Sequence, residues 1–185
     1  MILYINACVR KESRTKRLAD FLLSKLDEPY TEVRLADIDF PVTDEAYLTK
    51  RDQLIAAEAF SDPMFLLAKQ FSAADRIVIA APYWDLSFPS VLKQYFEHIN
   101  ALGVTFTYTP EGIPKGLCRA NDLYYVTTAG GNYVPEEYGF GYVKALAQSY
   151  YGIQDVKLIQ AVGLDLDGAE PEQILKECME RIGDL

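Results

Sequence analysis

The sequence predicts an α/β fold, a parallel sheet covered by helices on both faces. Two observations carry that prediction. Short apolar runs bounded by turn residues alternate with longer segments whose apolar residues recur every three or four positions. The run RIVIAAP (76–82) is continuously apolar, as strands buried on both faces are. The strand–helix rhythm meets no internal repeat, low-complexity tract or linker, so βαβ units in a single domain over 1–185 are expected.

The elements follow in order. ILYIN (2–6) is the first strand. Ser13 is placed to cap a first helix with a stripe of Leu18, Leu22 and Leu26, beside Ala19 and Leu23. TEVRLA (31–36) alternates as a second strand. Residues from about 44 to 74 are expected to be helical, split in two by Asp62-Pro63 as a cap and first-turn proline. The third strand is 76–82, and Pro89 opens a helix to about Ala101. GVTFTYTPEGIPKG (103–116) is a long aromatic connection rich in turn residues. DLYYVTTA (122–129) is a fourth strand ending in Gly130-Gly131; a helix over roughly 136–150 and a fifth strand over 155–163 follow. Pro171 starts the last helix, where the spacing of Ile174, Leu175, Cys178, Met179 and Ile182 makes Cys178 a core residue. Five strands with a polar loop after the first suit the flavodoxin-like order 2-1-3-4-5. That order puts a ligand crevice at the carboxyl ends of the strands, beside strand one. Three loops are expected to converge there: 7–15, 82–89 and 128–133.

Composition narrows the partners. With 185 residues, half of them apolar, the chain is long enough to bury a core. No stretch approaches the roughly 20 apolar residues of a membrane span. The opening MILYINA has no basic n-region or cleavage pattern, and three cysteines are too few and odd for a disulfide framework; together these predict a reduced, cytoplasmic protein. A net charge of −9 disfavours nucleic acid and anionic lipid. Against that background Arg10, Lys11, Arg14, Lys16 and Arg17 fall within eight residues, just after the first strand. They form either a solvated helix face or an anion site, and their place at a strand-to-helix turn favours the anion site. His98, the only histidine, is expected at the surface or an interface, and no cluster of ligating residues predicts a metal.

The loop INACVRKESRT poses a choice of chemistry. Cys8, five residues, Arg14 and Thr15 spell C-x5-R-[ST], the phosphate loop of a cysteine phosphatase. The intervening VRKES has no glycine for a tight wrap, Glu12 sets an anion near the site, and Asp62-Pro63 reads as a helix start rather than a leaving-group acid. The alternative is a cradle for the phosphate of a cofactor, with Cys8 a lining or core residue. PYWDLSFP then offers Tyr83 and Trp84 to a planar ring, and TTAGGNY offers small residues that let something flat approach the backbone. GFGYVK (139–144) has Lys144 where a dinucleotide fingerprint needs its third glycine, and it follows no strand.

The segments 81–117 (APYWDLSFPSVLKQYFEHINALGVTFTYTPEGIPKGL), VTTAGGNY and YYGIQDVKLIQAVGL resemble, in order along nearly the whole chain, the flavodoxin-like quinone reductases. The likeness is most specific to the FMN-dependent NADH azoreductases. The resemblance implies that Ser13, Arg14 and Thr15 hold the FMN phosphate. It sets Pro82, Tyr83, Trp84, Asp85 and Leu86 along the isoalloxazine ring, and Thr128, Ala129, Gly130 and Gly131 at its far edge. Phe106 and Tyr150 match aromatics that wall the substrate pocket, in that family from both subunits of a homodimer. Three positions depart from the pattern: Ala7 stands where the family has serine, Asp85 where it has asparagine, and Ala129 where it has arginine. Arg10 is the residue to compensate for Ala7, through a charge-assisted bond.

The resemblance therefore implies two-electron, ping-pong reduction of a small-molecule acceptor (a quinone, azo or nitro compound) with NADH or NADPH as reductant. The flavin carries the chemistry, no side chain is required as acid or base, and Tyr133 is the one candidate within reach of substrate. The competing reading is a flavodoxin-type electron carrier or flavin-binding module, which the acidic charge suits; the phosphatase stands a distant third.

Overall fold

The computed structural model describes residues 1–183. The last two residues of the expected 1–185 domain lie outside the described residues. A five-stranded parallel sheet runs in the order β2-β1-β3-β6-β7, formed by β1 (Ile2–Asn6), β2 (Tyr30–Arg34), β3 (Arg76–Ala80), β6 (Asp122–Thr128) and β7 (Asp155–Ala161). This is the expected 2-1-3-4-5 order of the central strands. Each expected strand is present: β1 has the expected bounds, β2 starts one residue earlier and ends two sooner, and β3, β6 and β7 end one or two residues sooner. β6 is buried along its whole length, which is why its sequence shows no alternation.

Helices lie on both faces of the sheet. On one, α1 (Arg14–Leu26) buries Leu18, Ala19, Leu22 and Leu23, and α6 (Pro171–Gly183) buries Leu175, Cys178 and Ile182 against the same core. Cys178 is thus a core residue, as its spacing predicts. On the other, α3 (Leu66–Ala73), α4 (Ser90–Ile99) and α5 (Phe140–Leu146) pack Phe71, Leu92, Tyr95, Phe96 and Val143 over Ile77, Ile79 and Tyr125. The helical stretch expected over 44–74 is divided: α2 (Glu45–Ala56) ends well before a short 3-10 turn at Pro63–Phe65, where the Asp62 side chain accepts from Met64 N.

Three expectations need correction. The helix placed at 136–150 begins only at Phe140, after Gly139 in a non-helical conformation, and changes to a π-turn over Ala147–Tyr151 that ends at left-handed Gly152. The connection 103–116 is ordered as a two-stranded antiparallel sheet, β4 (Phe106–Tyr108) with β5 (Pro114–Gly116). It is fixed by close backbone approach, since a Cβ on Gly116 would collide with the backbone of Tyr151 and Gly152. His98 is buried rather than superficial: Phe40 and Tyr47 lie against its ring at 4.9 and 5.3 Å. The segment after β2 and the first turn of α2 fold back over it, a long-range placement that helical spacing cannot report.

Candidate functional site

The carboxyl ends of the strands are carried past the sheet as a ladder. Ala7 N donates to Ala80 O (2.8 Å), Tyr83 N to Thr128 O (3.0 Å) and Ala129 N to Ala161 O (3.0 Å). These bonds hold the loops after β1, β3, β6 and β7 side by side. Between them lies a crevice of about 390 Å³. Arg10, Ser13, Arg14, Thr15, Pro82, Tyr83, Trp84, Thr128, Ala129 and Gly130 all line it, so ten of the expected residues meet in one place.

One end is the N-terminus of α1. Ser13 caps it, its Oγ accepting from Lys16 N at 3.2 Å, which leaves the hydroxyl proton free to donate elsewhere. The helix carries no acidic residue of its own in the first turn. Thr15, fully buried, shares a 2.6 Å hydrogen bond with Thr128 Oγ1. Whichever hydroxyl donates, the other keeps its own proton for an acceptor in the crevice. Arg14 Nη1 reaches Asp165 Oδ1 at 2.7 Å.

The other end is a tight turn. Trp84 and Ser87 exchange backbone hydrogen bonds of 3.1 and 2.8 Å, and the two residues between them, Asp85 and Leu86, are left-handed with φ of 51° and 67°. That is the geometry of a type I′ turn, for which Asn-Gly would be the unstrained choice. The buried Tyr83 hydroxyl has no partner among the described residues. Trp84, Leu86 and Tyr133 are exposed.

Cys8 takes no part. It is 2 % exposed, its amide donates to Asn6 Oδ1 at 2.9 Å, and its sulfur faces the Ala80 carbonyl at 3.8 Å. Burial pushes its thiol pKa up, the opposite of what a nucleophilic thiolate needs. Asp85, Leu86, Gly131, Phe106, Tyr133 and Tyr150 do not line the crevice. Phe106 and Tyr150 touch one another instead, ring to ring at 4.7 Å.

Sequence reasoning missed Val9, Glu12, Leu164 and Asp165. The last two sit in the loop after β7. The rule that ligands gather beyond the carboxyl ends of the strands applies to that loop as it does to the three chosen. Gly130 also has a reason the sequence does not disclose: a Cβ there would strike the Asp165 carboxylate. A roomier hollow of about 720 Å³ lies among Phe40, Tyr47, Met64, Leu67 and His98, but its lining is mainly apolar and brings few polar groups together. Among the described residues no group of three or more ligating side chains is gathered for a metal. No helix among them is long and apolar enough to cross a membrane.

The crevice fits FMN on its own terms. It has a helix N-terminus with free hydroxyl protons and a guanidinium, an aromatic turn with a phenol unpartnered among the described residues, and the small residues Thr128, Ala129 and Gly130 in the same lining.

Comparison with known proteins agrees. A family model described as flavodoxin-like fold matches residues 1–185. An FMN-dependent NADH:quinone oxidoreductase of Lachnoclostridium phytofermentans is 35% identical, covering 98% of this chain and 96% of its own. One from Clostridium perfringens is 34% identical over 97% of this chain and 94% of its own. The solved azoreductase of Bacillus anthracis superposes with a TM-score of 0.85 at 22% identity, covering 99% of this chain and 96% of that one. An FMN-dependent NADH-azoreductase from the same species, in complex with FMN, gives 0.79 at 22% identity, covering 99% and 95%.

Proposed function

The chain belongs to the flavodoxin-like fold family, among the FMN-dependent NADH:quinone oxidoreductases, and from that premise we propose that it is an FMN-dependent NAD(P)H oxidoreductase acting on quinones, azo or nitro compounds. The observation that carries the reading is the meeting of the α1 N-terminus and the Tyr83–Trp84 turn in one crevice. FMN held there would supply the two-electron redox chemistry that links nicotinamide oxidation to reduction of the acceptor.

The residues do the rest. Ser13, Arg14 and Thr15 bind the phosphate, with Arg10 beside them making a charge-assisted bond in place of the hydroxyl that Ala7 lacks. Pro82, Tyr83, Trp84, Asp85 and Leu86 run along the ring, and the Tyr83 hydroxyl gains the partner it lacks. Thr128, Ala129, Gly130 and Gly131 close its far edge. Phe106 and Tyr150 wall the acceptor pocket, and Tyr133, exposed at the end of the glycine loop, is the side chain nearest to meet substrate. The chain works as one FMN-binding unit and as a homodimer. Leu102, Tyr108, Ile113 and Leu117, exposed on and around the β4–β5 hairpin, support an apolar face for the partner. Three free thiols suit a reduced, cytoplasmic setting.

The test is the visible spectrum of the protein after loading with FMN and gel filtration, followed by anaerobic addition of NADH. A retained flavin band that bleaches with NADH alone is expected. A band that bleaches only with an added reductase would make the protein an electron carrier. No retained flavin would remove the cofactor reading.

A further inference from the structure

Three of the five clustered cations are tied to carboxylates, but not in equivalent ways. Lys16 pairs with Asp20 on its own helix at 2.7 Å, and Arg17 holds Glu172 bidentately at 2.8 and 2.7 Å. Neither carboxylate lines the crevice. Asp165, the partner of Arg14, does. Its backbone is also tied to the glycine loop. Gly163 N, Leu164 N and Asp165 N donate to Gly131 O, Ala129 O and Gly130 O at 3.0, 3.2 and 2.9 Å. The carboxylate itself rests over Gly130, where a Cβ would displace it. The protein therefore keeps an anion of its own against the guanidinium that faces the α1 N-terminus.

We propose that Asp165 sets the affinity of the crevice for phosphorylated flavin. Its carboxylate occupies Arg14 in the free protein and yields that guanidinium to the phosphate monoester, so binding at this end exchanges one anion for another. The proposal rests on the FMN reading above. Two features make the exchange possible. The pair is solvent-exposed, 40% and 66% for the two side chains, so it is weak enough to give way. A phosphate monoester carries nearly two charges against the single charge of a carboxylate and offers three acceptor oxygens, so it is the stronger partner for the guanidinium. The ladder to the glycine loop keeps the displaced Asp165 nearby, where it still opposes the incoming anion. The phosphate is thus bound less tightly than Arg14, Ser13 and Thr15 alone would bind it. Riboflavin, which shares the ring and lacks the phosphate, should not sense Asp165 at all.

The experiment titrates the full-length apoprotein with FMN and with riboflavin, following flavin fluorescence, for wild type, Asp165→Asn and Asp167→Asn. Asp167 removes the same charge two residues away, without an ion-pair partner among the described residues. Circular dichroism melts accompany each variant to confirm that it is folded. Asp165→Asn is expected to tighten FMN about fivefold, the upper end of what an exposed pair is worth. Riboflavin binding should stay unchanged, and Asp167→Asn should match wild type for both ligands. Weaker FMN binding by Asp165→Asn would show that the carboxylate orients Arg14 and would overturn the proposal. So would an equal gain from Asp167→Asn, or an equal gain for riboflavin, since either would mean general charge relief. Binding of neither flavin by any variant would overturn the FMN reading and the proposal with it, an outcome distinct from flavin binding that Asp165→Asn leaves untightened.

Discussion

At the α1 end of the crevice Arg14 is paired with Asp165, Thr15 with Thr128, and Ser13 with the Lys16 amide. At the other end Asp85 and Leu86 sit in left-handed backbone, the Tyr83 hydroxyl has no partner among the described residues, and Trp84 faces solvent. One end already holds a carboxylate on its guanidinium and has only hydroxyl protons to spare; the other is strained and incomplete. Affinity for a ligand at the first end is the difference between two sets of polar contacts, each worth little net. At the second end it comes from covering apolar surface and satisfying an orphaned group, so much more of the gross interaction survives as binding. The phosphate end then supplies selectivity, and the aromatic end supplies most of the grip.

The largest expected effect that would break this division is at Arg14. Arg14→Ala removes a charge-assisted bond and leaves Asp165 unneutralised beside the phosphate, so FMN should weaken by about 1.5–3 kcal/mol, the range for hydrogen bonds to charged groups. Riboflavin should bind as to wild type. Isothermal titration with both ligands measures it, and a parallel loss for riboflavin would show that the two ends are not separable. Arg10→Ala should lie nearer the low end of that range, since Arg10 is exposed and holds no ion-pair partner among the described residues.

The turn offers a smaller effect of opposite sign on stability. Leucine in the left-handed region costs about 1–2 kcal/mol, and glycine returns about 0.5–1 kcal/mol of that as unfolded-state entropy. Leu86→Gly should therefore raise the unfolding free energy by about 0.5–1 kcal/mol in urea denaturation. The same change frees a turn that the strained residues hold in one shape, so riboflavin and FMN should weaken together. A variant that is more stable and binds both flavins as before would show that the strain has no bearing on the ring.

The difference between the ends also explains what the sequence disclosed. The sheet order, both helical faces and the convergence of the loops after the first, third and fourth central strands were legible because strand runs, a Ser13 cap and an aromatic loop are local patterns, whereas most of the ten crevice residues came from the family resemblance. Asp165 was not. Nothing local distinguishes it from Asp167; only the ladder to residues 129–131 puts it opposite Arg14, 151 positions earlier. The β4–β5 pairing escaped for a similar reason, since Gly116 is needed there by the π-turn at Ala147–Tyr151 and not by its own neighbours. His98 was misplaced because Phe40 and Tyr47 reach it from another element. Contacts across the fold leave their trace in sequence only as an unexplained glycine or a lone charge.

The smallest expected effect concerns Cys8, beside the polar end but outside it. Cys8→Ser keeps the size and the amide bond to Asn6, so NADH oxidation with a quinone acceptor should stay within about twofold of wild type; loss of all activity would restore a nucleophilic role for the thiol. Its consequence should appear in stability against pH instead. Burial raises the Cys8 thiol pKa above its ordinary 9.0. Between that value and the folded pKa the native state holds a proton that the unfolded chain has released, so stability falls as pH rises past about 9. Other buried acids, Cys118 among them with its thiol pushed up to about 12, produce the same slope in both proteins. The share due to Cys8 is therefore the difference between wild type and Cys8→Ser, which should be steady below pH 9 and shrink the wild-type advantage above it. A difference that stays flat through that range would mean that the folded thiol ionises as it does in the unfolded chain. The residue would then be open to the crevice after all.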